Sequence, residues 1–241
     1  MILPQPGDYI DIHIHGGKPS AGIFFLETLM AHEERTPGDF PNQACTYGIH
    51  PWYLNIYNYN KLINRVNAST AFPNLIALGE AGFDKIRGPS MELQRRAFEA
   101  QIAISEEYRK PVVIHCVRAW DEMFAAHKKF RPKMPWLIHG FRGNIESAKQ
   151  ILSKEIYLSF WFDFILRTES AQLLRNLPKD RIFLETDGAD VSIVEIYKKI
   201  ASDIGLSVDG LKSIILTNFN QFFGFSSFLT TEQNGVSRNK Q

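Results

Sequence analysis

Residues Tyr9–His15 read YIDIHIH. Polar and apolar side chains alternate with period two, as on a strand whose faces meet different surroundings. Ile10, Ile12 and Ile14 take one face, which suits contact with outer elements. Tyr9, Asp11, His13 and His15 take the other, so the two imidazoles can meet one cation at the strand's end. Side by side in a core, they would instead need a partner for every polar ring nitrogen.

Outward from this stretch, short apolar runs recur at 22–29, 45–49, 75–78, 112–114, 136–138, 156–158 and 182–184. They have strand length and are rich in Val, Ile and aromatic residues. Between the later runs the apolar spacing turns helical: Leu93, Ala97, Ala100 and Ile104; Ile145, Ala148 and Leu152 after a capping Asn144; Ile193, Tyr197, Ile200 and Ile204; Leu211, Ile215, Phe219 and Phe222. Strands alternating with helices imply a parallel sheet. At 241 residues, a continuous series suits a single α/β domain, a (β/α)8 TIM-like barrel. The first quarter is irregular. Residues 16–47 hold one strand and a Pro/Gly/Asn-rich stretch at 36–42, without an amphipathic helix long enough to cover a barrel. The expectation is a distorted barrel with its first outer helices reduced or missing. It should occupy residues 1–229, followed by a polar, disordered tail at 230–241.

Hydrophobic residues make up 44% and charged residues 22%, which excludes collagen-like, disordered and coiled-coil classes. A net charge of +1 is low for a protein that wraps duplex nucleic acid by charge alone, but it leaves room for a local basic site. No apolar run reaches bilayer length, and the first residues lack the pattern of a signal peptide. Cys45 and Cys116 have no metal-type spacing. A cytoplasmic protein without a membrane partner is expected.

Six metal-type side chains fall at the carboxyl ends of strand candidates: His13, His15, Glu80, His115, His139 and Asp187. In a parallel barrel those ends share the face that carries active sites. The interval from His139 to Asp187 is twice that from His115 to His139, so one strand, near 156–158, supplies no ligand. A single histidine after an apolar run is usually a hydrogen-bonded residue of the core edge; six residues at equivalent ends are not explained that way. His32 and His127 fall outside the set.

Four imidazoles and two carboxylates suit borderline divalent ions such as Zn, Mn, Ni or Fe. Six ligands exceed what one tetrahedral catalytic ion needs. Two divalent ions, among Zn, Mg and Mn, are therefore expected, with Glu80 as the bridge. The matching chemistry is metal-assisted hydrolysis, with Asp187 able to take a proton from water. Lys85, Arg87, Arg118 and Arg142 follow the ligands and fit local phosphate recognition. His50, in YGIHPWY, is a further ligand or a phosphate donor.

The ordered set DIHIH (11–15), GIHP (48–51), GEAGFD (79–84), PVVIH (111–115), HGFRG (139–143) and ETD (185–187), with TNFNQFF at 217–223, resembles the TatD family of metal-dependent hydrolases. The resemblance implies a distorted TIM barrel and a deoxyribonuclease-type phosphodiesterase acting at DNA ends. It implies one ion on His13, His15, Glu80 and Asp187, and a second on Glu80, His115 and His139. It also implies that His50 contacts the scissile phosphate and that Asp11, Asp84 and Glu185 support the ligands. The chain departs from the family pattern at Val117, where Arg is frequent, and at Gly188-Ala189, where Ser-Pro is usual; the segment from His15 to His50 is short. The expected protein is a monomeric nuclease with DNA as substrate. Aminoacyl-tRNA deacylation or hydrolysis of a small ester or amide is the enzymatic alternative. A non-catalytic metal- or nucleic-acid-binding module is the alternative of another class.

Overall fold

The computed structural model describes residues 1–225, so the expected boundary at 229 and the tail at 230–241 lie outside the described residues. Eight strands run β1 (Tyr9–Ile14), β2 (Ile23–Met30), β3 (Cys45–Gly48), β4 (Leu75–Asp84), β5 (Val112–Val117), β6 (Trp136–Phe141), β7 (Tyr157–Trp161) and β8 (Ile182–Glu185). They form one parallel sheet in chain order, and β8 comes back beside β1. The helices are α1 (Tyr59–Ser69), α2 (Met91–Tyr108), α3 (Trp120–Phe130), α4 (Ile145–Leu152), α5 (Phe162–Ile165), α6 (Thr168–Asn176), α7 (Ile193–Ile204) and α8 (Val208–Phe222). The sheet is therefore a nearly closed TIM-type barrel. None of the described helices is long and apolar enough to cross a membrane.

The seam between β1 and β8 closes through a side chain. Asp11 accepts hydrogen bonds from the backbone N–H and the hydroxyl of Thr186 (3.1 and 2.6 Å). Just beyond, the Asp187 N–H donates to the His13 carbonyl at 3.0 Å. Tyr9, at the far end of β1, packs edge-on against Tyr197 of α7 and beneath the Lys212 ammonium. It therefore sits with the outer helices and does not extend the inward row of Asp11 and His13.

The first two crossovers contain no α-helix. Residues 15–22 are too few to form one, and 31–44 form only a 3₁₀ turn at Pro37–Asp39. The last helix covers the exposed flank: Phe219 of α8 meets Phe24 of β2 edge-on at 5.2 Å, and both are buried. The sequence reading does not include α1, α3 or α6, nor the single turn α5. Their buried residues are few, such as Leu62, Val66 and Ser69 in α1, so their apolar stripes are narrow.

Three of the strands that carry metal-type residues hold one extra residue at that point. Between Asp11 and Ile14, between Leu78 and Ala81, and between Ile138 and Phe141, three steps on one strand match two on its neighbour. His13, Glu80 and His139 lie inside these bulges. An extra residue breaks strict alternation and re-aims the side chains there. On β4 the bulge requires glycine. Gly79 has φ +127 and Gly82 φ +152, and a Cβ at either would run into the backbone oxygen of Val113 or His115.

Candidate metal centre

Glu80 is 2% exposed, and its two oxygens face different partners. Oε2 lies 3.5 Å from His13 Nε2 and 3.7 Å from His15 Nε2. Asp187 Oδ1 stands at the same distances, 3.5 and 3.7 Å, from those two nitrogens. These separations are too long for hydrogen bonds. Ligand atoms held about 2.1 Å from one ion at tetrahedral angles lie roughly 3.4 Å from each other. His13 Nε2 is buried and has no hydrogen-bond partner among the described residues, so the geometry fits a divalent cation there.

The other oxygen has closer neighbours. Glu80 Oε1 lies 2.6 Å from His115 Nδ1, 2.7 Å from His139 Nε2 and 3.2 Å from His50 Nε2. Three ligand groupings overlap here: His13, His15 and Asp187; His13, Glu80 and His139; His50, Glu80 and His115. All six residues singled out in the sequence thus converge on one pocket. His50 joins them as a neighbour of Glu80. Its Nδ1 accepts the Trp52 N–H (3.1 Å), which leaves Nε2 as its donor.

The electrostatics follow from this crowding. Burial would raise the Glu80 carboxyl pKa, but His139, His115 and His13 pull it well below the ordinary value. Burial and the His139 charge oppose protonation of His13; Asp187 and Glu80 overcome both and raise it to about 9. Burial likewise opposes charge on His139, yet Glu80 and Glu185 push it well above the usual imidazole range. For His50 burial wins and its pKa falls. Asp187 falls below the ordinary carboxylate value because His13 outweighs burial.

A supporting layer fixes these candidate ligands. Thr28 Oγ lies 3.2 Å from His13 Nδ1. Asp84 Oδ2 lies 3.2 Å from His115 Nε2 and accepts the Trp52 indole N–H at 2.6 Å, while its Oδ1 accepts the Ile86 and Arg87 N–H groups. Glu185 is fully buried, takes the Ser159 hydroxyl and lies 3.5 Å from His139 Nδ1. Asp11 reaches no ligand directly; through Thr186 it holds the segment that carries Asp187. Burial raises Asp11 to about 7 against the hydrogen bonds from Thr186. Glu27 accepts the Gly16 and Gly17 N–H groups at 2.8 Å each, which anchors the turn after His15. Strand pattern gives no signal for Thr28, Ser159 or Glu27, because their partners lie on other strands or loops. β7, expected to supply no ligand, contributes the supporting Ser159.

The centre opens into a cleft of about 900 Å³ whose walls include Trp52, Tyr53, Arg118, Trp120 and Arg142. Arg142 stacks on Trp161, 3.6 Å from the ring centroid, and burial lowers its pKa. Arg87 lies 4.1 Å over Trp52. Lys85 differs from expectation: its ammonium pairs with Glu122 at 2.9 Å, and it does not line the cleft. Trp52 and Tyr53 could have been found from their place beside His50 in YGIHPWY.

Several known proteins are similar to this chain. A human protein named 3'-5' RNA nuclease TATDN2 is 32% identical over 150 residues, covering 58% of this chain and 19% of that protein. A 3'-5' ssDNA/RNA exonuclease TatD from Citrobacter koseri is 29% identical over 190 residues, covering 76% and 73%. Among solved structures, the TatD homologue YJJV from Escherichia coli K12 superposes with a TM-score of 0.78 at 17% identity, covering 91% of this chain and 99% of that one. An uncharacterized amidohydrolase from Saccharomyces cerevisiae gives 0.71 at 14%, covering 90% and 100%. The family model for TatD related DNase matches residues 28–224. The chain therefore belongs to the TatD family of metal-dependent hydrolases.

Proposed function

We propose that this protein is a two-ion phosphodiesterase that removes nucleotides from nucleic acid ends, with DNA as its substrate. The observation that carries this reading is the division of Glu80. One oxygen faces His13, His15 and, across them, Asp187; the other faces His115 and His139. One carboxylate would thus hold two ions, drawn from Zn, Mg and Mn. When bound, such ions acidify a water and offset charge on attacking and leaving oxygens.

The chain's own residues do the rest. Asp187, a quarter exposed at its side chain, faces the cleft and accepts the proton from the attacking water. Arg118 and Arg142 bind phosphate oxygens, and His50 Nε2–H donates to the phosphate under attack. Trp52, Tyr53 and Trp120 give unpaired bases a stacking surface, which favours a strand end over the middle of a duplex. The relatives named as nucleases support this substrate class. Cys45 and Cys116 are free thiols, which supports a reducing, cytoplasmic setting for a monomeric enzyme.

The test combines metal analysis with end-labelled single- and double-stranded DNA and RNA. Two ions per chain and metal-dependent shortening of DNA from one end are expected. A fully metallated protein that cleaves no nucleic acid but hydrolyses an aminoacyl-tRNA or a small ester would overturn the nuclease reading and leave the metal centre standing.

A further inference from the structure

At the opposite end of the barrel lies a second pocket, about 520 Å³ in volume. Its floor is Trp136, the first residue of β6, roughly 10 Å along the strand from His139 and at the end away from the metal centre. Five cationic side chains line it: Lys128, Arg131, Lys133, Lys154 and Arg181. They come from separate segments: the end of α3, the loop before β6, the turn before β7 and the residue before β8.

The single carboxylate there is Glu155, 3.7 Å from Arg181. None of the other four cations has a carboxylate within ion-pair distance among the described residues, whereas the adjoining Lys129 pairs with Glu99 at 2.7 Å. Cations at a helix C-terminus are favourable in themselves, and that accounts for Lys128 and Arg131 beside α3. It also serves Lys154, two residues past α4, whose ammonium lies 5.5 Å over the Phe124 ring, and Arg181 has Glu155; Lys133 has no such local account. The whole chain carries only +1, so the excess at this pocket leaves the remainder net acidic.

We propose that this pocket binds a compact, multiply charged phosphate ligand, such as a nucleoside triphosphate or pyrophosphate, at a site separate from the metal centre. Five cations less one carboxylate complement a tri- or tetra-anion, and a pocket of this volume suits a small ligand. Guanidinium and ammonium groups from several segments can surround such an anion on more than one side.

The test uses the whole chain, stripped of metal and kept in EDTA, so that binding cannot run through the metal centre. Pyrophosphate and ATP are titrated by calorimetry against the unmodified protein, a Lys133→Glu/Lys154→Glu variant, a Lys61→Glu surface control and Arg142→Ala; thermal melting confirms that each is folded. Saturable one-to-one binding is expected, weakened at least tenfold in the double variant and unchanged in the other two. Loss in Arg142→Ala with retention in the double variant would overturn the proposal, as would an equal loss in Lys61→Glu. Absence of saturable binding would do the same. A single-stranded oligonucleotide that bound with the double variant's charge dependence, while ATP and pyrophosphate did not, would overturn the small-ligand assignment.

Discussion

The two flanks of Glu80 are built differently. On the Oε2 side, His13, His15 and Asp187 stand apart at 3.5–3.7 Å from their opposites, as ligands around an ion do. On the Oε1 side, His115 and His139 lie 2.6 and 2.7 Å away, at hydrogen-bond distance. The open flank is held by a backbone hydrogen bond together with side chains of β2. The Asp187 N–H bonds to the His13 carbonyl, and Thr28 and Glu27 brace His13 and the turn after His15. The closed flank depends on side chains, Asp84 behind His115 and Glu185 behind His139. The His13 flank has the spacing of ligand atoms around one ion, while the His115 flank has the spacing of hydrogen bonds. The first ion should therefore enter beside His13 and His15.

Glu80→Ala should abolish both flanks at once, because it removes the carboxylate they share. Metal analysis should show both ions lost, and end-labelled DNA should survive intact. Retention of two tightly held ions would show that Glu80 is no bridge.

Asp187→Asn separates binding from proton transfer on the open flank. The amide oxygen can still ligate, but it cannot take up a proton. In saturating metal, a folded and loaded variant should turn over roughly 10²–10⁴-fold more slowly, the range for a lost acid–base group. Near-normal turnover on every phosphodiester would remove Asp187 as the base.

Thr28→Val tests whether the open flank owes its order to support from β2. Losing the group behind His13 should weaken the first ion by roughly 10–100-fold, the usual cost of deleting such an outer contact. Calorimetric metal titration reads this directly, and an unchanged first affinity would locate the organisation elsewhere.

The smallest effect is on the pH dependence of metal-free stability. His13 rises from 6.5 to about 9 on folding, so its contribution is complete below pH 6.5 and is lost as pH climbs through 9. Asp11 rises from 3.8 to about 7, so its contribution is also lost with rising pH, as it passes through 7. Glu80 is depressed, and its contribution is already complete throughout this window. The melting temperature of the metal-free protein should fall between pH 6.5 and 9, by the equivalent of about 1–3 kcal/mol, while saturating metal should flatten the curve. A rise over that range would show that His13 is not protonated in the metal-free fold.

Much of this was legible in the residue order. The eight strand runs, the absent early helices and the six metal-type residues that converge at the barrel mouth follow from period-two and helical spacing and from polar residues at strand ends. The helices α1, α3 and α6 were not, because few of their side chains are buried and a narrow stripe leaves little periodicity. Lys85 reads as a cleft cation in sequence, and only its distance to Glu122 shows where its charge goes.

Residue order is enough to say which side chains could meet at the barrel mouth, since a residue's place on its strand is a local property. How they meet depends on the assembled barrel. The bulges at His13, Glu80 and His139 arise from register with neighbouring strands, and register is invisible in any one strand. The same holds for α8 covering the flank left bare by the short first crossovers, and for Asp84 joining Trp52 to His115. Each is a contact between residues far apart in the chain. Periodicity reports the face a side chain takes, and only the closed barrel sets what stands opposite it.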